Sequence, residues 1–129
     1  MVIARWLINI CSQDLAASRG FYTQFLGLTV AYDSDWYVQL VSDEHPQLEL
    51  GVIQQDHGLI PPEFQAAPQG LLLTFVVDDV DALYERARAM AIAIVQPPKN
   101  EAYGQRRLLV RDPNGLLLDL STPIAAESR

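Results

Sequence analysis

A chain of 129 residues, half of them apolar and 19% charged, is long enough to bury a core without disulfide or metal staples. Its formal charge of −7, with Lys99 the only lysine, excludes the basic surface that nucleic acid demands. Cys11 has no second cysteine to pair with, no basic leader opens the sequence, and no apolar run nears the roughly 20 residues that span a bilayer, so the expectation is a cytoplasmic protein with no membrane partner.

In chain order, Ile3 to Cys11 reads as a buried strand, and Asp14 caps a helix whose Leu15, Ser18, Phe21, Tyr22 and Phe25 form one core-facing stripe. Gly27 stops that helix, and strands follow over Leu28 to Tyr32, Trp36 to Val41 and Gln47 to Ile53. Between them, Asp33-Ser34-Asp35 and Ser42 to Pro46 are turns. A Gly- and Pro-containing stretch from Gln54 to Gln69 lacks periodicity and is expected to link two halves or cover a site. The pattern then restarts: a strand over Gly70 to Val77, a cap at Asp78-Asp79, a helix over Val80 to Met90 and a strand over Ala91 to Val95. After the loop Asn100 to Gly104, two leucine-rich strands flank Asp112-Pro113-Asn114-Gly115, whose residues suit a tight hairpin turn.

The restart is an internal repeat. Ile10-Cys-Ser-Gln-Asp-Leu-Ala-Ala17 and Phe75-Val-Val-Asp-Asp-Val-Asp-Ala82 share a pattern of strand, Asp cap, aliphatic and small residue, 65 residues apart. Leu48-Glu49-Leu50 and Leu118-Asp119-Leu120 match at 70. The expected organisation is therefore α+β, two tandem βαβββ modules (1–54 and 70–123, linker 55–69). Neither half buries its sheet face alone, so the modules pack within one chain or swap between chains.

Asp119 lies inside an apolar strand, where a carboxylate must be paired, bound to a ligand or facing water. If Asp112 to Gly115 is a four-residue turn, Arg111 pairs with Leu116, Leu108 faces Asp119, and Arg106 lies diagonal to Asp119 within reach. A one-residue slip would remove that pairing. A ligand-contacting role and a metal-binding role stay open beside it. Glu49 alternates with Leu48 and Leu50 and faces either a cavity or solvent. Trp36, Tyr37 and Tyr103 carry rings with polar tips that suit a cleft mouth, although strand alternation lets only one of Trp36 and Tyr37 face inward. Cys11, with no basic neighbour, is expected to be a buried inert thiol. Phosphate loops, nucleophile elbows and Cys-x-x-Cys pairs are absent from the sequence.

The Asp-capped helix with Phe21-Tyr22 and Leu26-Gly27-Leu28, the second-half repeat, Tyr103-Gly104-Gln105-Arg106 and Asp112-Pro113-Asn114-Gly115 together resemble the vicinal oxygen chelate superfamily, which holds glyoxalase I, bleomycin-resistance proteins and extradiol dioxygenases. The resemblance covers nearly the whole chain and implies a glyoxalase-like fold in which the paired βαβββ modules form a curved mixed sheet around a cleft, usually in a homodimer. It also implies four metal-ligand positions, carried over to Leu7, Glu49, Leu72 and Asp119. Leucine at both first-strand positions leaves two carboxylates, fewer ligands than Zn, Fe or Ni sites require. A divalent metal is thus disfavoured as a cofactor and, if present, would rest on Glu49 and Asp119. The expected function is metal-free sequestration of an aromatic or cationic small molecule, with Trp36, Glu49, Tyr103, Arg106 and Asp119 as candidate ligand-binding residues. The alternative is a metal-dependent lyase, isomerase or dioxygenase of the same superfamily.

Overall fold

The computed structural model describes residues 1–125, which fall into two compact units, Met1–Pro68 and the chain from Gln69 onward. In the first, β1 (Ile8–Ser12), α1 (Leu15–Gln24), β2 (Thr29–Asp33), β3 (Tyr37–Val41) and β4 (Glu49–Gln54) build a four-stranded sheet in the order β1-β4-β3-β2. The second unit repeats this with β5 (Leu72–Val76), α2 (Val80–Ala89), β6 (Ile94–Glu101), β7 (Gln105–Arg111) and β8 (Leu117–Pro123), in the order β5-β8-β7-β6. First and fourth strands of each unit pair in parallel, and the remaining pairs are antiparallel. The expected βαβββ repeat is therefore present twice.

Both helices start where the sequence places them. The Asp14 carboxylate accepts from the Ala17 backbone N–H at 3.0 Å, and Asp79 does the same for Ala82 at 3.0 Å. Each cap satisfies a donor that has no partner inside the helix. Period-two alternation then sorts each sheet into two faces. Ile10, Val38, Leu40, Leu50 and Val52 are buried on the α1 side, packed with Leu15, Phe21, Tyr22 and Phe25. Leu73, Leu108, Val110, Leu118 and Leu120 do the same for α2, with Val80, Leu83 and Ala87. The other face of each sheet carries the polar residues considered below.

Three differences from expectation bear on the site. Residues 1–7 are not in the first strand, which begins at Ile8, and Trp6 is 70% exposed. Strand β6 runs through Pro97 and Pro98 to Glu101 instead of ending before them. It is an edge strand with two register shifts against β7, and an edge tolerates residues lacking an N–H.

The third difference is at the hairpin between β7 and β8. Its turn is closed by Gly115 N–H donating to the Asp112 carbonyl at 3.1 Å, with Gly115 at φ +80°. Asp112 N–H also donates to the Leu116 carbonyl, so Gly115 is an extra left-handed residue beyond the turn. The Asp112 carboxylate locks this shape by accepting from the N–H groups of Asn114 (2.8 Å) and Leu116 (2.9 Å). That extra residue moves the register by one: Arg111 pairs with Leu117, not Leu116, and Leu109, not Leu108, faces Asp119.

Candidate functional site

The register decides which arginine meets Asp119. Arg107, on the same face as Leu109, donates through Nε to Asp119 Oδ1 at 3.0 Å, while Thr74 Oγ1 donates to Oδ2 at 2.9 Å. Asp119 is only 8% exposed, so this pairing answers the desolvation its charge would otherwise suffer. Arg106 points to the opposite face, where its guanidinium brackets Asp81 of α2 at 3.0–3.1 Å and donates to Asn100 at 3.0 Å. Hydrogen bonding to Asp81 raises the Arg106 pKa above its ordinary value. The expected Arg106–Asp119 pair is thus replaced by Arg107–Asp119, the physical reason being the bulge at Gly115. Tyr103 lies in the turn between β6 and β7, 64% exposed.

Glu49 opens β4 in the first unit and is held just as firmly. Arg5 Nε lies 2.8 and 3.0 Å from its two oxygens, Arg5 Nη2 makes a further contact, and Gln39 Nε2 donates at 3.0 Å. The hydrogen-bonded Arg5 guanidinium keeps the Glu49 carboxyl below the ordinary carboxylate range, against the desolvation that pushes it up. A carboxyl depressed in the folded state contributes stability above its unfolded pKa and loses it as pH falls through the folded one. Acidification is therefore expected to release residues 1–7 from the sheet. Arg5→Ala should move the Glu49 midpoint up, read by NMR titration of its carboxyl; an unmoved midpoint would refute the clamp.

Two residues along β4 from Glu49 lies Gly51, which pairs with Asn9 of β1 and Gln39 of β3. Thr74 stands 65 residues beyond Asn9, the spacing of the two capped helices, and Thr74 pairs with Asp119. The register counterpart of Asp119 is therefore Gly51, and that of Glu49 is Leu117. Matching the fourth strands by their Leu-acid-Leu pattern placed the first-half carboxylate two residues too early. The space above Gly51 is already filled: a Cβ there would overlap Asn9 Oδ1 and the Tyr37 hydroxyl, and would come within 2.9 Å of Tyr37 Cζ. Tyr37 donates to Asn9 Oδ1 at 2.7 Å, and burial raises its phenol pKa, which keeps the proton in place.

Asn9 and Tyr37 form the floor of an open cleft of about 470 Å³ in this unit. Trp36, Leu59, Ile60 and Phe64 line it, the last from a short 3-10 turn over Pro62–Phe64. Trp36 and Tyr37 both reach the cleft, contrary to expectation, because Trp36 precedes β3 and alternation does not govern it. The Ser34 hydroxyl accepts from both of their backbone N–H groups and closes that turn. His57, from the loop after β4, stacks on Trp36 with ring centroids 4.0 Å apart and planes at 15°. Cys11 is half-buried at the same cleft and is not the fully buried thiol expected.

Of the sequence candidates, Trp36 and Glu49 belong to the first unit, and Tyr103, Arg106 and Asp119 to the second. Asn9, His57 and Arg107 escaped the sequence reading. Gly51 was the one available signal, since an isolated glycine inside a strand marks a close approach. As a metal donor set these residues fit poorly: Leu7, Leu72 and Gly51 offer no side-chain lone pair, and Asp119 and Glu49 each face a guanidinium. Among the described residues, no three His, Cys, Asp or Glu side chains converge, and no helix is long and apolar enough to cross a membrane.

Two βαβββ units, each a four-stranded mixed sheet with one helix, define a class. The chain belongs to the Glyoxalase/Bleomycin resistance protein/Dioxygenase superfamily, whose family model matches residues 6–120. Similar solved structures include TnmS3, an antibiotic binding protein from Streptomyces sp. CB03234, at 25% identity and TM-score 0.72, covering 95% of this chain and 97% of that one. UcmS2 aligns at 22% identity and TM-score 0.77, over 94% and 98% of the two chains. A glyoxalase/bleomycin resistance protein/dioxygenase from Nocardioides aligns at 20% and 0.72, over 99% and 91%. No curated protein matches the chain.

Proposed function

We propose that this protein binds a small aromatic molecule without a metal, as a homodimer, in the manner of the bleomycin-resistance branch of its family. The observation that carries the reading is Gly51. Where the second unit has Asp119, the first has a glycine, and the Asn9–Tyr37 pair takes up the room a ligating side chain would need. A cleft of about 470 Å³ lies within the size range of small-molecule sites. Its walls are largely aromatic and aliphatic. Because Glu49 and Asp119 already hold arginines, they offer little uncompensated negative charge, which favours an uncharged ring over a cation. The likeness to TnmS3, described as an antibiotic binding protein, supports the same direction.

Metal content decides between binding and metal-dependent catalysis. Protein purified without chelator is expected to carry no stoichiometric divalent ion, and one tightly held ion per chain would overturn the proposal. Calorimetry against a panel of aromatic and glycopeptide antibiotics then tests binding itself, with micromolar or tighter affinity for at least one aromatic member as the expected result.

A further inference from the structure

The cleft of the first unit has an arrangement of groups more specific than an apolar hollow. One wall is Trp36, on whose ring His57 stacks, parallel within 15°. The imidazole is held in place by its own loop, its Nδ1 accepting from the Leu59 N–H at 3.1 Å and its carbonyl accepting from the Ile60 N–H at 3.0 Å. Leu59 and Phe64 form the rim and are 70% and 68% exposed, apolar surface that an occupant would cover. The floor is the Asn9–Tyr37 pair, which exists only because Gly51 has no side chain.

The hydrogen-bond inventory of that floor is asymmetric. Tyr37 spends its one proton on Asn9 Oδ1. Both protons of the Asn9 amide nitrogen then lack a partner among the described residues, and the phenol oxygen keeps acceptor capacity. Turning the carboxamide over exchanges the roles and still leaves two donors, one amide N–H and the phenol O–H, and an acceptor free. A flat wall beside a floor with both donor and acceptor capacity to spare matches a planar ring bearing a hydroxyl, which both gives and takes a hydrogen bond.

We infer that Trp36, with His57 stacked on it, and the Asn9–Tyr37 pair form a subsite for a planar hydroxyaromatic ring, the indole holding its face and the pair reading its hydroxyl. The inference rests on the metal-free binding reading and names the chemical class that the cleft selects.

The test uses the full chain and two probes that differ only in the hydroxyl, 2-naphthol and naphthalene. Affinities are read from the NMR shift of the Trp36 indole N–H, assigned with Trp6→Phe, a substitution outside the cleft. The expected result is about tenfold tighter binding of 2-naphthol, the worth of one net hydrogen bond. Asn9→Ala should bring the two probes level, and Trp36→Ala, read by calorimetry because the indole reporter is gone, should weaken both by about tenfold or more, as loss of a stacking surface does. Equal affinity of the two probes for the unmodified chain overturns the inference and leaves the binding reading standing, and needs no variant to fold. A Trp36 signal moved by neither probe overturns the subsite, and the metal analysis and antibiotic panel then decide the broader reading on their own. A Trp36 signal that shifts with protein concentration alone assigns the cleft to a second copy of the chain and also overturns it.

Discussion

Replacing Arg107 with alanine is expected to destabilise the protein by about 3 kcal/mol, whereas Arg106→Ala should cost under about 1 kcal/mol. The two residues are neighbours with the same side chain, and the difference comes from what each leaves behind. Arg107 pairs with Asp119, whose side chain is 11% exposed in that pair, so its loss strands a carboxylate within the sheet with only Thr74 for company. Arg106 pairs with Asp81, whose side chain is 61% exposed and rehydrates when its partner goes. Urea unfolding of the two variants measures the contrast. Asp119→Ala combined with Arg107→Ala should recover part of the loss, because a buried charge without a partner costs more than no charge at all. Equal costs at 106 and 107 would mean that the β7–β8 register is not the one Gly115 imposes.

The second large effect concerns two phenylalanines with opposite duties. Phe25 is fully buried at the end of α1, its ring 5.3 Å from that of Phe21, and Phe25→Ala is expected to cost about 3–5 kcal/mol through lost transfer energy and the cavity left behind. Phe64, at 68% exposure on the cleft rim, should change stability by less than about 0.5 kcal/mol when replaced by alanine. Its loss should instead weaken binding of 2-naphthol. Thermal unfolding and the NMR titration together read both halves of this prediction. A Phe64→Ala protein that binds unchanged would remove the rim from the site.

Several features were legible in the residues alone because they depend on local chemistry. Asp14 and Asp79 announce helix starts, since an N-cap needs only a carboxylate and the backbone three residues on. The stripe through Leu15, Ser18, Phe21 and Tyr22 depends only on helical period, and all four are buried. The leucine at position 7 and that at position 72 were already visible as side chains without lone pairs. The 65-residue spacing of the capped helices pointed to the doubled βαβββ pattern, which the sheets carry.

What sequence spacing did not decide were matters of register. One residue of bulge at Gly115 exchanges Arg106 for Arg107, because neighbours along a strand face opposite sides. Two residues of offset along β4 exchange Glu49 for Gly51, because the Leu-acid-Leu pattern repeats within a strand and carries no record of which partner strand lies beside it. His57 joined Trp36 only through the path of the loop between β4 and the 3-10 turn, a path set by hydrogen bonds among residues 54–65 that no periodicity announces. Composition and local patterning thus determined the elements and their order, and the motifs carried the resemblance to the family. Tertiary structure alone decided which side chains face one another, since pairing energy depends on alignment between strands that the linear order of residues does not encode.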